Sequence, residues 1–224
     1  MTDINQRRSF LQNVTNDTFS ENMKDVYTCI PGHVLTFDPD TQRAQIQIGI
    51  TRTDIVAKTT FDPPPIVDVP VSFPGDDFVL EFAIKPGCEG MVHFSQRCID
   101  GWKQTGGIAA NPVGRFHHKQ DAMFVPGIRS LDNLIAGFSN DGIRLRNVDA
   151  SQYVWLKSDG SCIMANGNGN VQLLANGTVS INGVTIDKDG NITALNSLVL
   201  NGKELNDHTH GGVASGGSNT GPNN

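Results

Sequence analysis

The chain has 224 residues, a formal charge of −6 and only 18% charged residues, with no Lys/Arg cluster longer than Arg7-Arg8. That balance leaves no electrostatic footprint for a phosphate backbone, which excludes nucleic acid as an expected partner. No apolar run approaches the roughly 20 residues of a membrane-spanning helix, and the N-terminus lacks the charged-then-apolar layout of a signal peptide. The expectation is a chain made and folded in the cytoplasm, long enough for one globular domain and one extended appendage.

Residues 1–25 carry Phe10, Leu11, Val14, Phe19 and Met23 at loose helical spacing among polar residues, and read as an N-terminal helix or arm. From Tyr27 the period becomes two. In HVLTFDPDTQRAQIQIGI, Val34 and Thr36 alternate before Asp38-Pro39-Asp40, and Ala44, Ile46 and Ile48 alternate after it, the pattern of a β-hairpin. A second hairpin-like unit is expected from IVDVPVSF (66–73) and FVLEFAIKPGCEGMVHFS (78–95), with Pro63-Pro64-Pro65 as an exposed loop before it. About five short strands over 26–130 predict a small closed or partly open barrel of the OB type. Cys29, Cys88, Cys98 and Cys162 show no CxxC spacing and are expected as reduced, partly buried thiols.

Beyond Leu131 the texture changes. Turn dipeptides recur at Asp141-Gly142, Asp159-Gly160, Asn166-Gly167, Asn176-Gly177, Asn182-Gly183, Asp189-Gly190 and Asn201-Gly202, and between them lie VQLLA, TVSI, VTID, NITAL and SLVL. Each is long enough for one short strand, and one copy cannot enclose a core with them. Leu173, Ile181, Ile186, Ile192 and Leu200 must still be buried, and packing against the same segments of two symmetry mates would do it. The fold class expected is mostly β: an OB-like barrel, then an intertwined homotrimeric β-prism or β-helix shaft over 131–207.

The tail NDHTHGGVASGGSNTGPNN (206–224) places His208 and His210 two apart, so both imidazoles leave one face of an extended strand. Read alone, such a pair near a Gly/Ser/Asn-rich end is a solvated tail. Following strands that need closure, it reads as part of a metal site. Three chains meeting on an axis would offer six imidazole nitrogens, which suits an octahedral ion such as iron, with zinc or nickel as the alternative. Glycines after the pair let the chain fold back in a narrow space. Elsewhere, His117-His118 near Asp121 is expected to be structural, and Arg97, Cys98, Asp100 and Trp102 are expected to form a polar-aromatic group in which Arg97 pairs with Asp100. No GxSxG, Walker loop, HExxH or strand-linked GxGxxG is present, so no catalytic residue is assigned and an enzyme is not expected.

In KPGCEGMVHFSQRCIDGWKQTGG, RFHHKQDAMFVPGI and HTHGGVASGGSNTG the chain resembles the central tail spikes of contractile-tailed bacteriophages and related injection systems, also called baseplate assembly protein V-like or membrane-piercing spikes. The resemblance covers nearly the whole chain, and the last segment is its most specific part. It implies a homotrimer with a metal-binding apex at 208–224, where His208 and His210 of three chains hold one iron ion. It also implies a virion protein whose OB-fold end attaches to the tail hub of the baseplate, and whose apex crosses the host outer membrane on sheath contraction. No lysozyme-like insertion is present, so no wall-degrading activity is carried over. A trimeric receptor- or glycan-binding fibre tip is the alternative, disfavoured because no Trp, Tyr or Phe follows Trp155.

Overall fold

The computed structural model describes residues 4–54, 57–111, 113–205 and 212, and it is mostly β. The chain divides into two compact units, Met1–Leu134 and Ile135–Asn224.

The first unit opens with α1 (Ile4–Lys24). The hydroxyls of Thr15 and Thr18 donate to the carbonyls of Leu11 and Val14, each at 2.8 Å, and so stay within the helix. Phe10, Leu11, Val14, Phe19 and Met23 are all exposed, as expected of a helix whose apolar positions fall on no single stripe. There follow β1 (Cys29–Asp38), β2 (Arg43–Ile48), the hairpin β3 (Arg52–Asp54) and β4 (Thr59–Phe61), then β5 (Ile66–Pro70), β6 (Glu89–Phe94), the short α2 (Asp100–Thr105) and β7 (Ala122–Pro126).

The β1–β2 hairpin forms where the period-two pattern placed it. Asp38 builds its turn, with Oδ1 accepting from the Asp40 N–H at 3.0 Å and Oδ2 from the Thr41 hydroxyl at 2.7 Å. The main sheet runs β5-β2-β1-β6-β7, each neighbour antiparallel. A parallel bridge between Val71 and Phe124, with the Ser72 N–H donating to the Phe124 carbonyl at 2.9 Å, brings the two edges together. This is the order and closure of an OB-like barrel.

The strand face that turns inward is apolar at every second residue: Ala44, Ile46 and Ile48 on β2 are buried while their neighbours are not. Val34, Ile46, Val69, Val92 and Phe124 are fully buried, and burying side chains of this size stabilises by about 1.5–3 kcal/mol each. Gly90 is required at the β6–β7 crossing, since a Cβ there would run into the Val125 carbonyl and the Phe124 ring.

Three expectations are corrected. Segments 66–73 and 78–95 do not pair as a hairpin: β5 pairs with β2, β6 pairs with β1, and 78–88 is a connection pinned by a single Gly75–Val79 bridge. The alternating apolar residues Phe78, Leu80 and Phe82 mimic a strand, but Phe78 is 93% exposed. Pro63 is buried, its carbonyl accepting from the Gln47 side chain at 2.8 Å, although Pro64 and Pro65 are exposed. Cys29 is exposed; all four thiols are free.

The second unit is a seven-stranded meander: β8 (Ile143–Arg146), β9 (Tyr153–Leu156), β10 (Cys162–Asn166), β11 (Gly169–Leu173), β12 (Val179–Ile181), β13 (Val184–Ile186) and β14 (Ile192–Thr193). The hairpin β15 (Val199–Leu200) and β16 (Lys203–Glu204) follows. Four of its turns close alike, the N–H of Ala150, Gly160, Gly177 or Gly190 donating to the carbonyl three residues back at 2.9–3.2 Å, while the side chain that caps them stands at the turn's start in one and near its end in the other three. Asp149, Asp159, Asn176 and Asp187 each accept, through Oδ1, the N–H two residues on, at 2.8–3.0 Å. The residue after Asp159, after Asn176 and two places after Lys188 is a glycine at φ near +88° (89°, 87° and 87°). In the first turn of the series that place belongs to Ala150, at φ 59°. Asn182-Gly183 and Asn201-Gly202 each hold two consecutive positive φ values, the two-residue hairpin turn that Asn-Gly favours.

Candidate functional site

Cross-strand register sorts the meander into two unlike faces. Ile143 pairs with Leu156, Leu156 with Cys162, Cys162 with Leu173, Leu173 with Val179, Val179 with Ile186 and Ile186 with Ile192. Two residues along each strand, Leu145, Val154, Met164, Val171, Ile181 and Val184 are matched in the same way. Because side chains alternate across a strand, all of these leave one face, and every one is apolar. The other face carries Arg144, Arg146, Tyr153, Trp155, Gln172, Ser180 and Thr185.

Among the described residues nothing covers the apolar face. Ile143 is 69% exposed, Met164 58% and Ile192 64%, and Leu173, Ile181 and Ile186 are exposed too. A contiguous apolar sheet face left uncovered is the kind of surface that marks association. On the opposite face Trp155 is held by cations, with the Arg144 guanidinium 4.8 Å and the Lys157 ammonium 5.4 Å from its ring centroid.

His208 and His210 lie outside the described residues. The last described strands lead to them: Leu205 donates its N–H to the Leu198 carbonyl at 2.8 Å, and Ser197 donates to Glu204 at 2.9 Å, closing the β15–β16 hairpin just ahead of the pair.

Among the described residues, one cluster of potential metal ligands exists: Cys98, Asp100 and Asp121. A side-chain cation already fills it. Arg115 donates from Nε to Asp121 Oδ2 at 3.0 Å, and from Nη2 to Asp121 Oδ1 at 2.8 Å, Asp100 Oδ2 at 2.7 Å and Cys98 Sγ at 3.2 Å. Asp121 is fully buried and also accepts the Ile99 N–H at 3.0 Å. Burial pushes its carboxyl up, but the Arg115 hydrogen bonds and the Ile99 N–H outweigh it and hold the group below the usual carboxylate range. Arg115 likewise holds Asp100 down, and the two carboxylates raise Arg115 in return. The cluster is a strut joining the start of α2 to β7.

The expected Arg97–Asp100 pair is therefore corrected. Arg115 takes the carboxylate, and Arg97 lies over the Phe116 ring, 4.1 Å from its centroid. The sequence signal for Arg115 was weak, since 15 residues separate it from Asp100. His117 and His118 stand in a loop and make separate structural contacts: His117 Nδ1 meets the Tyr27 carbonyl at 3.1 Å, and His118 Nδ1 accepts the Gln120 N–H at 3.2 Å.

Residues 30–127, which hold the barrel strands, match the family model described as Phage protein Gp138 N-terminal domain. Residues 205–224, which hold His208 and His210, match the model described as GpV Apex motif. No curated protein matches the chain.

Proposed function

We propose that this chain, which its Gp138-type N-terminal domain and GpV apex motif mark as a phage central spike protein, is the homotrimeric spike of a contractile tail, capping the baseplate hub and piercing the host outer membrane. The observation that carries the reading is the uncovered apolar face. It runs along the whole β8–β14 meander, and the strands that follow it lead into the apex match. A sheet whose every second side chain is apolar is incomplete alone, and two more copies would cover it and leave the polar face outward. In this reading residues 1–25 form an arm, 26–130 the barrel that meets the hub, 131–207 the shaft and 208–224 the tip.

The apex match supports a metal ion at the tip. His208 and His210 suit that role by chemistry: neutral imidazoles two apart, donated by three chains, make a six-nitrogen set for iron. A bound ion would join three chain ends at one point, adding stability that exists only in the assembled state. In this reading the task is mechanical, in keeping with two matched families that are structural phage proteins.

Sedimentation of tag-free protein tests the assembly, and a monomer would overturn it. Elemental analysis then tests the tip. We expect one iron for every three chains, lost in His208→Ala/His210→Ala; wild-type trimer free of metal would sink the ligand assignment while leaving the shaft intact.

A further inference from the structure

The polar face of the meander holds a concavity of about 590 Å3 beside the β10–β11 and β12–β13 turns, with Tyr153, Asn166, Asn168, Asn170, Gln172 and Asn182 in its lining and no charged side chain. We propose that it binds a neutral, hydroxyl-rich saccharide, a function beyond the spike reading and one that rests on a single chain's strands.

Its carboxamides are oriented in advance. Asn166 Oδ1 accepts the N–H groups of Asn168 and Gly169 at 2.9 and 3.0 Å, and Asn182 Oδ1 accepts the Asn170 N–H at 2.8 Å. Asn170 Oδ1 accepts from Gln172 Nε2 at 3.1 Å. With those acceptors spent on fixed donors, the amide NH2 groups of Asn166, Asn170 and Asn182 are left as donors and Gln172 Oε1 as an acceptor. A sugar hydroxyl both donates and accepts, so a set of mixed, preoriented amides suits it better than it suits an apolar ligand.

An aromatic wall completes the site. The Tyr153 ring, half-buried, stands edge-on to Trp155 at 6.2 Å between centroids, and because Arg144 and Lys157 occupy Trp155, Tyr153 is the ring that lines the cavity. The lining itself offers no charged group to pair with an anionic sugar. Arg146, opposite Tyr153 in the ladder, is committed to the carbonyls of Ala136, Gly137 and Val148, leaving the lining neutral. Tyr153, Asn170 and Gln172 leave the face opposite the apolar one, so covering that face with other copies leaves theirs outward.

The test is a printed array of neutral and sialylated oligosaccharides probed with the full-length protein, followed by saturation-transfer NMR on the neutral sugars retained. We expect binding to neutral members only, weakened at least about tenfold by Tyr153→Ala with sedimentation and melting unchanged. Gly169→Ala provides an independent check, because its Cβ would lie 2.7 Å from Asn182 Oδ1 and must displace that carboxamide; it should weaken binding even if Tyr153→Ala misfolds. No neutral sugar retained, preference for sialylated members, or equal transfer in wild type and both variants would overturn the proposal.

Discussion

Replacing Arg115 by Met should convert the tightest charge cluster of the barrel into a pH-dependent defect. The guanidinium makes three hydrogen bonds to two carboxylates, one of them fully buried. Removing one partner of a buried pair costs about 3–5 kcal/mol; since Arg115 keeps 18% of its side-chain exposure, the low end, about 3 kcal/mol, is expected at pH 7. In the wild type, Asp100 and Asp121 are held below their ordinary values. Their contribution is therefore complete above the unfolded carboxylate value of about 3.9 and is lost as pH falls through the folded values. Without Arg115, burial dominates at Asp121 and its folded value rises above the unfolded one, so the penalty is full at neutral pH and is relieved by protonation. The deficit of the variant should then shrink by half or more between pH 7 and pH 4. Urea unfolding of the full chain, read from Trp102 in a Trp155→Phe background, measures it. A loss below about 1 kcal/mol at pH 7, or one equal at both pH values, would refute the reasoning.

Ala150→Gly should stabilise by about 0.5–1 kcal/mol, the left-handed penalty less the extra chain entropy of glycine, because Ala150 holds φ 59° where sister turns have glycine; thermal melting checks it. Gly90→Ala should destabilise the barrel by about 1–3 kcal/mol through overpacking against the Val125 carbonyl and the Phe124 ring, seen as an earlier urea transition. Val171→Asp, on the apolar face, should shift sedimentation toward monomer, whereas Thr185→Asp on the opposite face should not. Asp159 is held down to about 2 by the Ser161 hydroxyl and N–H and by Lys157. Its turn should stay capped until pH falls to that value, which a carboxyl NMR titration would follow.

How much of this was legible beforehand depended on whether the cause was local. The β1–β2 hairpin and the strands between the Asp-Gly and Asn-Gly pairs could be read because alternation and left-handed turn chemistry act within a few residues. Six of those seven glycines do take positive φ; Gly167 does not, because Asn166 closes that turn with its own side chain on the N–H groups of Asn168 and Gly169. The turn at Ala150 was invisible for the converse reason, since Asp149 and Ser151 build it without a glycine. Pairing between distant segments was harder. FVLEF (78–82) alternates as a strand does, yet β6 takes its place beside β1, and no short-range pattern could decide between two apolar runs. Arg115 was missed on the same grounds, for only the barrel's curl brings it to Asp100 and Asp121.

The apolar residues of the second unit show the inverse case, in which a local pattern carries information that one chain does not satisfy. Leu173, Ile181, Ile186, Ile192 and Leu200 were expected to need burial, and within one chain they remain 44%, 46%, 36%, 64% and 57% exposed. Their alternation is as regular as that of Ala44, Ile46 and Ile48, which the barrel buries. The difference lies in curvature. Five strands whose edges meet at Val71 and Phe124 enclose their own inner face, whereas a meander in which each strand pairs only with its sequence neighbours never returns to cover itself. Identical binary patterning thus gives a self-sufficient core in one unit and an uncovered apolar face in the other, and the connectivity decides which.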